Sequence, residues 1–261
     1  MKIGVLLKQV PDTETRIKVN AGASAIEEGD IKWIVNPYDE FAVEQALQVR
    51  DAVGGEVVIL SLGPPRCLDA ARTALAMGAD RAVILDDAGF LGSDSLGVAT
   101  ALAAAAKAEG LELIFTGKQA IDDDAVQVPQ IVATLLGWPC ATNIASYAAN
   151  GASVMVKCPM GGGATEVIRV ALPAVFTCDK GLNSPRYASL PGIMKAKSKP
   201  VKRCTPTELG VADRVGAGNR KVTVAGLHLP PARTAGRILS GELSAQVTEL
   251  VRLLREEAKV L

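Results

Sequence analysis

Residues 117–130, GKQAIDDDAVQVPQ, gather the residue types that hold a phosphate ester. A strand end that opens through glycine into a helix amino terminus leaves backbone N–H groups unpaired, and these groups with the helix dipole suit an anion. Gln127 or Gln130 could then reach a base or a ribose. Asp122, Asp123 and Asp124 argue the other way, because carboxylates at a helix start satisfy the dipole themselves and repel a second anion. From these residues alone, the capping and the phosphate readings stand level. Three other loops share the position after a strand: Lys8-Gln9-Val10-Pro11-Asp12, Asn36-Pro37-Tyr38-Asp39 and Leu62-Gly63-Pro64. None carries GxGxxG or a Walker loop. Gly161-Gly162-Gly163 sits between two strands and reads as a hairpin turn.

Other chemistries lack their residue types. His228 is the only histidine, which leaves no zinc site and no Ser-His-Asp triad. Cys67, Cys140, Cys158, Cys178 and Cys204 form no CxxC pair, and their odd number fits a reducing cytoplasm. Residues 186–199, RYASLPGIMKAKSK, mix Leu190, Ile193 and Met194 with basic side chains. An apolar anchor ringed by charge suits protein docking; the plain alternative is a surface loop whose leucine tucks inward.

The elements that position these loops alternate. Residues 2–7, 56–62, 81–85 and 111–116 read as buried strands. Helices are expected over 37–53 with Asn36 as cap, over 67–77, after Ser93 or Asp94, and from about Asp124 to Leu136. Strand and helix alternating at this spacing predict right-handed crossovers and a mostly parallel, Rossmann-like α/β sheet. In such a sheet ligands bind beyond the carboxyl ends of the strands, which is where the four loops lie. Residues 154–158 and 165–170 predict an added β-hairpin, 174–178 another strand, and the central sheet is expected to continue with antiparallel members. Residues 243–260 read as an amphipathic terminal helix, with Val247, Leu250, Val251 and Leu254 on one face.

The composition narrows the rest. With 28 basic against 28 acidic residues among 261, no net field draws the chain to nucleic acid. Four Phe, three Tyr and two Trp are too few for single-strand stacking platforms. Nothing approaches the ~20 apolar residues of a membrane span, so no membrane insertion and a cytoplasmic location are expected. The neutral total hides a bias, since residues 180–233 hold 11 Lys or Arg against Glu208 and Asp213.

Six blocks in order, KQVPDT, NPYDEFAVEQAL, GPP with RTALAMGADRA, GKQAIDDD, LPAVFTCDKGLNSPRYASLPGIMKAK and PPARTAGRIL, resemble the β subunit of electron transfer flavoprotein nearly end to end. The resemblance implies an adenine-nucleotide fold over residues 1–228 and an arm over 229–261 that packs on a larger α subunit. That subunit would carry the redox FAD, and this chain would be a non-catalytic electron-carrier subunit. Acyl-CoA-type or other flavin dehydrogenases and a membrane quinone oxidoreductase would be its partners.

The family's nucleotide contacts fall on Leu6, Asn36, Pro37, Tyr38, Asp39 and Leu62. They continue over Ala120, Ile121, Asp122, Asp123, Asp124, Ala125, Val126, Gln127, Val128, Pro129, Gln130 and Ile131. Thr13 corresponds to a position near the α-bound FAD. Docking falls on Arg186, Tyr187, Leu190, Ile193, Met194, Lys195, Lys197 and Lys199. The triple aspartate and GWP resemble members that bind AMP, whereas PDTE, ILSGE and LLREEAKVL resemble flavin-bifurcating members with a second FAD in the same site. Met160 stands where the family has an acidic residue. The reading from another class is an adenine-nucleotide hydrolase or ligase of similar fold.

Overall fold

The computed structural model describes residues 1–232 and 235–261. Arg233 and Thr234, within the PPARTAGRIL block and the expected arm, lie outside the described residues. The chain divides into two compact units, Met1–Gly226 and Leu227–Leu261.

In the first unit the strands and helices run β1 (Lys2–Leu6), β2 (Gln9–Pro11), β3 (Trp33–Val35), α1 (Pro37–Val53), β4 (Glu56–Leu62), α2 (Cys67–Met77) and β5 (Arg81–Leu85). They continue with α3 (Ser95–Glu109), β6 (Leu113–Gly117), α4 (Val128–Leu136), β7 (Cys140–Ile144), β8 (Ser146–Asn150) and β9 (Ser153–Pro159). The last are β10 (Thr165–Ala171), β11 (Ala174–Cys178), α5 (Leu190–Ala196) and β12 (Val201–Arg203).

The central sheet has the order β12-β5-β4-β1-β6-β11-β7. Every pairing within it is parallel. This corrects the expectation of antiparallel members in that sheet: β8, β9 and β10 form an antiparallel sheet of their own. Successive residues of β1 and β4 point to opposite faces, as the strand period requires. Ile3, Val5, Val57 and Ile59 pack with α1 and α2, while Leu6, Val58 and Leu60 pack with α3 and α4. The sheet is therefore covered on both sides, which explains why EVVILSL is an almost unbroken apolar run. The small sheet docks through Tyr147, whose ring meets Phe115 and Phe176 edge-on at centroid distances of 5.4 and 5.6 Å.

Helix boundaries follow local chemistry. Asp94 caps α3 by accepting from the Gly97 N–H at 2.9 Å, and Gly110 ends that helix in the left-handed conformation. Asn36 occupies the cap position of α1 without capping it. Helix α4 starts at Val128, not near Asp124, because Asp124 and Val126 adopt φ of 45° and 51°. Such left-handed residues are incompatible with a right-handed helix. Short pieces escaped the sequence reading: β2, β3 and β12 have three residues each, too few for periodicity to register. In the second unit α6 spans Leu243–Glu256 and exposes Leu243, Val247, Leu250 and Val251. An Arg252 fork on Glu249 and Glu256 ties successive turns of its polar face.

Candidate functional site

Strand β1 lies between β4 and β6: the chain winds from it through β4 to β5 on one side and then crosses back to β6 on the other, so its carboxyl end is the switch point of the sheet. A cleft of about 920 Å³ opens there. Leu6, Leu7 and Lys8 line it from β1, Leu62 from β4, and Thr116 and Gly117 from β6.

Asp39 is the pivot of its floor. The carboxylate is 3% exposed and accepts from the Lys8 N–H at 2.7 Å, the Gly117 N–H at 3.0 Å and the Asn36 amide at 2.9 Å. Burial pushes its pKa up to about 7 against these donors, which favour the charged form. The Asn36 amide also donates to the Gln119 carbonyl at 2.9 Å, and its oxygen accepts from the Ile121 N–H at 3.3 Å. The residue read as a helix cap is thus a strut that holds the loop after β6. Gly117 is required by this approach, because a Cβ there would collide with the Asp39 carboxylate and lie 2.7 Å from the Tyr38 Cβ.

Each of the three aspartates is tied to a neighbouring side chain. Lys8 Nζ donates to Asp122 at 2.8 Å and to Asp123 at 3.0 Å. Burial alone would depress the ammonium; the two carboxylates outweigh that and hold its pKa above normal. Asp124 accepts from the Gln119 amide at 2.7 Å. Helix α4 begins at the cleft with no side-chain cap on its N–H groups, and Gln127, Val128 and Pro129 line the wall there. The capping reading of the aspartates is therefore not the one this geometry adopts, since their partners are side chains and loop groups instead of the α4 turn.

Of the residues singled out in sequence, the cleft brings together Leu6, Asn36, Asp39, Leu62, Ala120, Asp123, Ala125, Val126, Gln127, Val128, Pro129 and Ile131. Pro37, Tyr38, Ile121, Asp122, Asp124 and Gln130 are not part of the lining. Tyr38 lies 5.0 Å below the Lys118 ammonium. Gln130 turns its amide toward the Val126 and Gln127 carbonyls. Thr13 sits exposed in the turn after β2, apart from the cleft. The far wall, residues 92–96 and 220–224, was not expected from sequence. Its only signal was the basic bias of residues 180–233.

The segment 186–199 is fastened at both ends. Arg186 clamps Glu44, the Arg72 guanidinium donates to the Ala196 carbonyl at 2.9 Å, and Lys199 Nζ donates to Leu75 at 2.9 Å and Ala79 at 2.5 Å at the end of α2. Between these anchors Tyr187, Leu190, Ile193 and Met194 are exposed, Leu190 by 75%. Lys195 and Lys197 are exposed beside them.

Fold and cleft define a doubly wound α/β protein with a cleft at the switch point of a parallel sheet. A family model described as electron transfer flavoprotein domain matches residues 24–209. Electron transfer flavoprotein subunit beta of Bacillus subtilis is 38% identical over 262 residues, with all of both chains covered. The human protein of that name is 38% identical over 266 residues, covering 100% of this chain and 99% of its own. The mitochondrial subunit beta of Oryza sativa subsp. indica is 43% identical over 264 residues, again with all of both chains covered. The chain belongs to the electron transfer flavoprotein β-subunit family. Its relatives are named for electron transport by a flavoprotein, and among its described residues no helix is long and apolar enough to cross a membrane.

Proposed function

We propose that this chain is the non-catalytic β subunit of a cytoplasmic heterodimer whose α subunit holds the redox FAD, and that it keeps a structural adenine nucleotide, AMP, in the switch-point cleft. The observation that carries the nucleotide is the meeting of an uncapped helix start with carboxylates already engaged by Lys8 and by backbone N–H groups. An anion entering there meets the backbone N–H groups of the helix start. In the bound complex the flavin supplies the one- and two-electron chemistry. This chain's residues bind, orient and support: Asp39 and Asn36 fix the loop 117–121 beneath the nucleotide, and Gln127 reaches its polar edge. Thr13 approaches the flavin held by the α subunit. Acyl-CoA-type or other flavin dehydrogenases dock on the exposed apolar side chains of residues 186–199, and a membrane quinone oxidoreductase takes the electrons onward. The unit Leu227–Leu261, with its exposed apolar helix face, packs on the α subunit.

A second reading places a second FAD in the same cleft, as in flavin-bifurcating members. The favouring observation is size, since about 920 Å³ lies near the top of the ~300–1,000 Å³ range of ligand sites. Denaturing the purified heterodimer and identifying what it releases separates the two. One FAD with one AMP supports the first, two FAD the second, and FAD alone would overturn the nucleotide assignment.

A further inference from the structure

Among the described residues, the far wall of the cleft carries the only lining cations that make no ion pair. Lys8 is spent on Asp122 and Asp123, and Lys118 pairs with Asp179 at 3.1 Å. Among the described residues Arg220 and Lys221 make no ion pair, although both line the cavity.

Their position is built into the main chain. Asp94 Oδ1 caps α3, while its Oδ2 accepts from the N–H groups of Lys221 at 2.6 Å and Val222 at 3.1 Å. These backbone bonds hold the Asp94 carboxyl below its ordinary range, the Gly97 bond contributing most. The Gly216 N–H donates to Ser93 Oγ at 2.7 Å. A Cβ on Gly216 would sit 2.7 Å from the Gly89 carbonyl oxygen, so the two backbones touch. An irregular segment without helix or strand is thereby bolted to the loop before α3, and two adjacent cations are held on one wall.

We infer that Arg220 and Lys221 form the cationic half of a phosphate site, gripping a dianionic phosphate or pyrophosphate across the cleft from the first turn of α4. This inference rests on the nucleotide reading above and adds residues outside those the resemblance implies. Two positive charges match the charge of a phosphomonoester, and equally that of the pyrophosphate of a dinucleotide. Arg220 supplies the fork geometry that recognises paired oxygens, and Lys221 supplies a point charge. Asp94 is a positioning residue: it acts through the main chain and keeps its own charge satisfied by N–H groups.

The test uses the heterodimer formed with the α subunit. The nucleotide released on denaturation is identified, and binding of AMP and of adenosine is titrated for wild type and for the double variant Arg220→Gln with Lys221→Gln. Both positions are exposed, so the melting temperature of the nucleotide-free heterodimer should be unchanged, and only the stabilisation given by added AMP should fall. The expected result is AMP binding at least tenfold weaker in the variant, with adenosine binding unchanged. Its AMP affinity should also depend less on salt than that of wild type. Release of AMP or of a second FAD from wild type then tells the phosphomonoester from the pyrophosphate. AMP bound equally by both proteins overturns the inference while the nucleotide reading survives, and so does an equal loss of AMP and adenosine binding. A wild-type heterodimer that neither releases a nucleotide beyond one FAD nor binds AMP overturns both.

Discussion

The Arg186 guanidinium grips both carboxylate oxygens of Glu44, Nε at 2.8 Å and Nη2 at 3.1 Å, across 142 residues of chain. A third bond runs from the Arg186 backbone N–H at 3.1 Å, and Nη1 reaches Asp51 at 3.1 Å. The segment that presents Leu190 is therefore rooted in α1, so its residues divide into those that hold the segment and those that face outward.

Breaking this clamp should cost stability. Removing one partner of a buried pair costs ~3–5 kcal/mol; because Arg186 is 37% exposed, about 1–3 kcal/mol is expected for Arg186→Ala after allowance for screening. Arg186→Lys should recover little, since an ammonium cannot span both oxygens. Burial raises the Glu44 pKa, but Arg186 outweighs it and the net shift is downward. The clamp's contribution is thus present above the unfolded value of 4.5 and fades as pH falls through the lowered folded value. The difference in melting temperature between wild type and Glu44→Gln should shrink below that pH, and a constant difference from pH 7 to pH 3 would refute the assignment.

Asp39 predicts the opposite slope. Its folded pKa is raised from 3.8 to about 7, so the folded state takes up a proton that the unfolded state has already released. The stability this gives is complete below 3.8 and is lost as pH rises through about 7. The advantage of wild type over Asp39→Asn should narrow across that window and level off above it. Thermal melts of the two proteins at half-unit pH steps measure it, and an advantage that widens with pH would contradict the burial argument.

The parallel sheet was legible because its strands are buried on both faces and its helices carry ordinary start and stop signals, such as Asp94 and Gly110. Asn36 was misread as a cap because its partners, Gln119 and Ile121, are more than 80 residues away and leave no local trace. The same holds for Lys8, whose pairing with Asp122 and Asp123 offsets part of the charge of the triple aspartate. Val126 at φ 51° breaks a helix pattern that propensity alone would begin earlier. The far wall was missed because two isolated cations in an irregular stretch have no period to read.

Gly117→Ala should destabilise the chain by about 1–3 kcal/mol, the ordinary cost of overpacking. The added methyl would press on Asp39 and on the Tyr38 backbone, whose carbonyl carbon would lie 2.9 Å away. Because Asp39 also holds the N–H of Lys8, the disturbance should reach the cleft. Urea unfolding and nucleotide retention on the same variant check this, and full stability would show that α1 can shift away freely.

Leu190 and Lys199 should separate docking from support within one segment. Leu190 is 75% exposed, so Leu190→Ala should change stability by less than ~0.5 kcal/mol. If it anchors a dehydrogenase, losing ~2 kcal/mol of apolar contact should raise the apparent KM for that partner at least ~10-fold. Lys195 and Lys197 are also exposed, and reversing their charges should slow association most at low ionic strength. Lys199 behaves differently: burial lowers its pKa, and its ammonium is engaged by the Leu75 and Ala79 carbonyls at the carboxyl end of α2. Lys199→Gln should therefore lower the melting temperature through lost support of that helix end, with little change in the salt dependence of docking. Melting curves and dehydrogenase-coupled flavin reduction across the variants decide the matter. A destabilised Leu190→Ala with normal coupling would remove the docking role, and a stable Lys199→Gln with slowed association would return that lysine to the docking face.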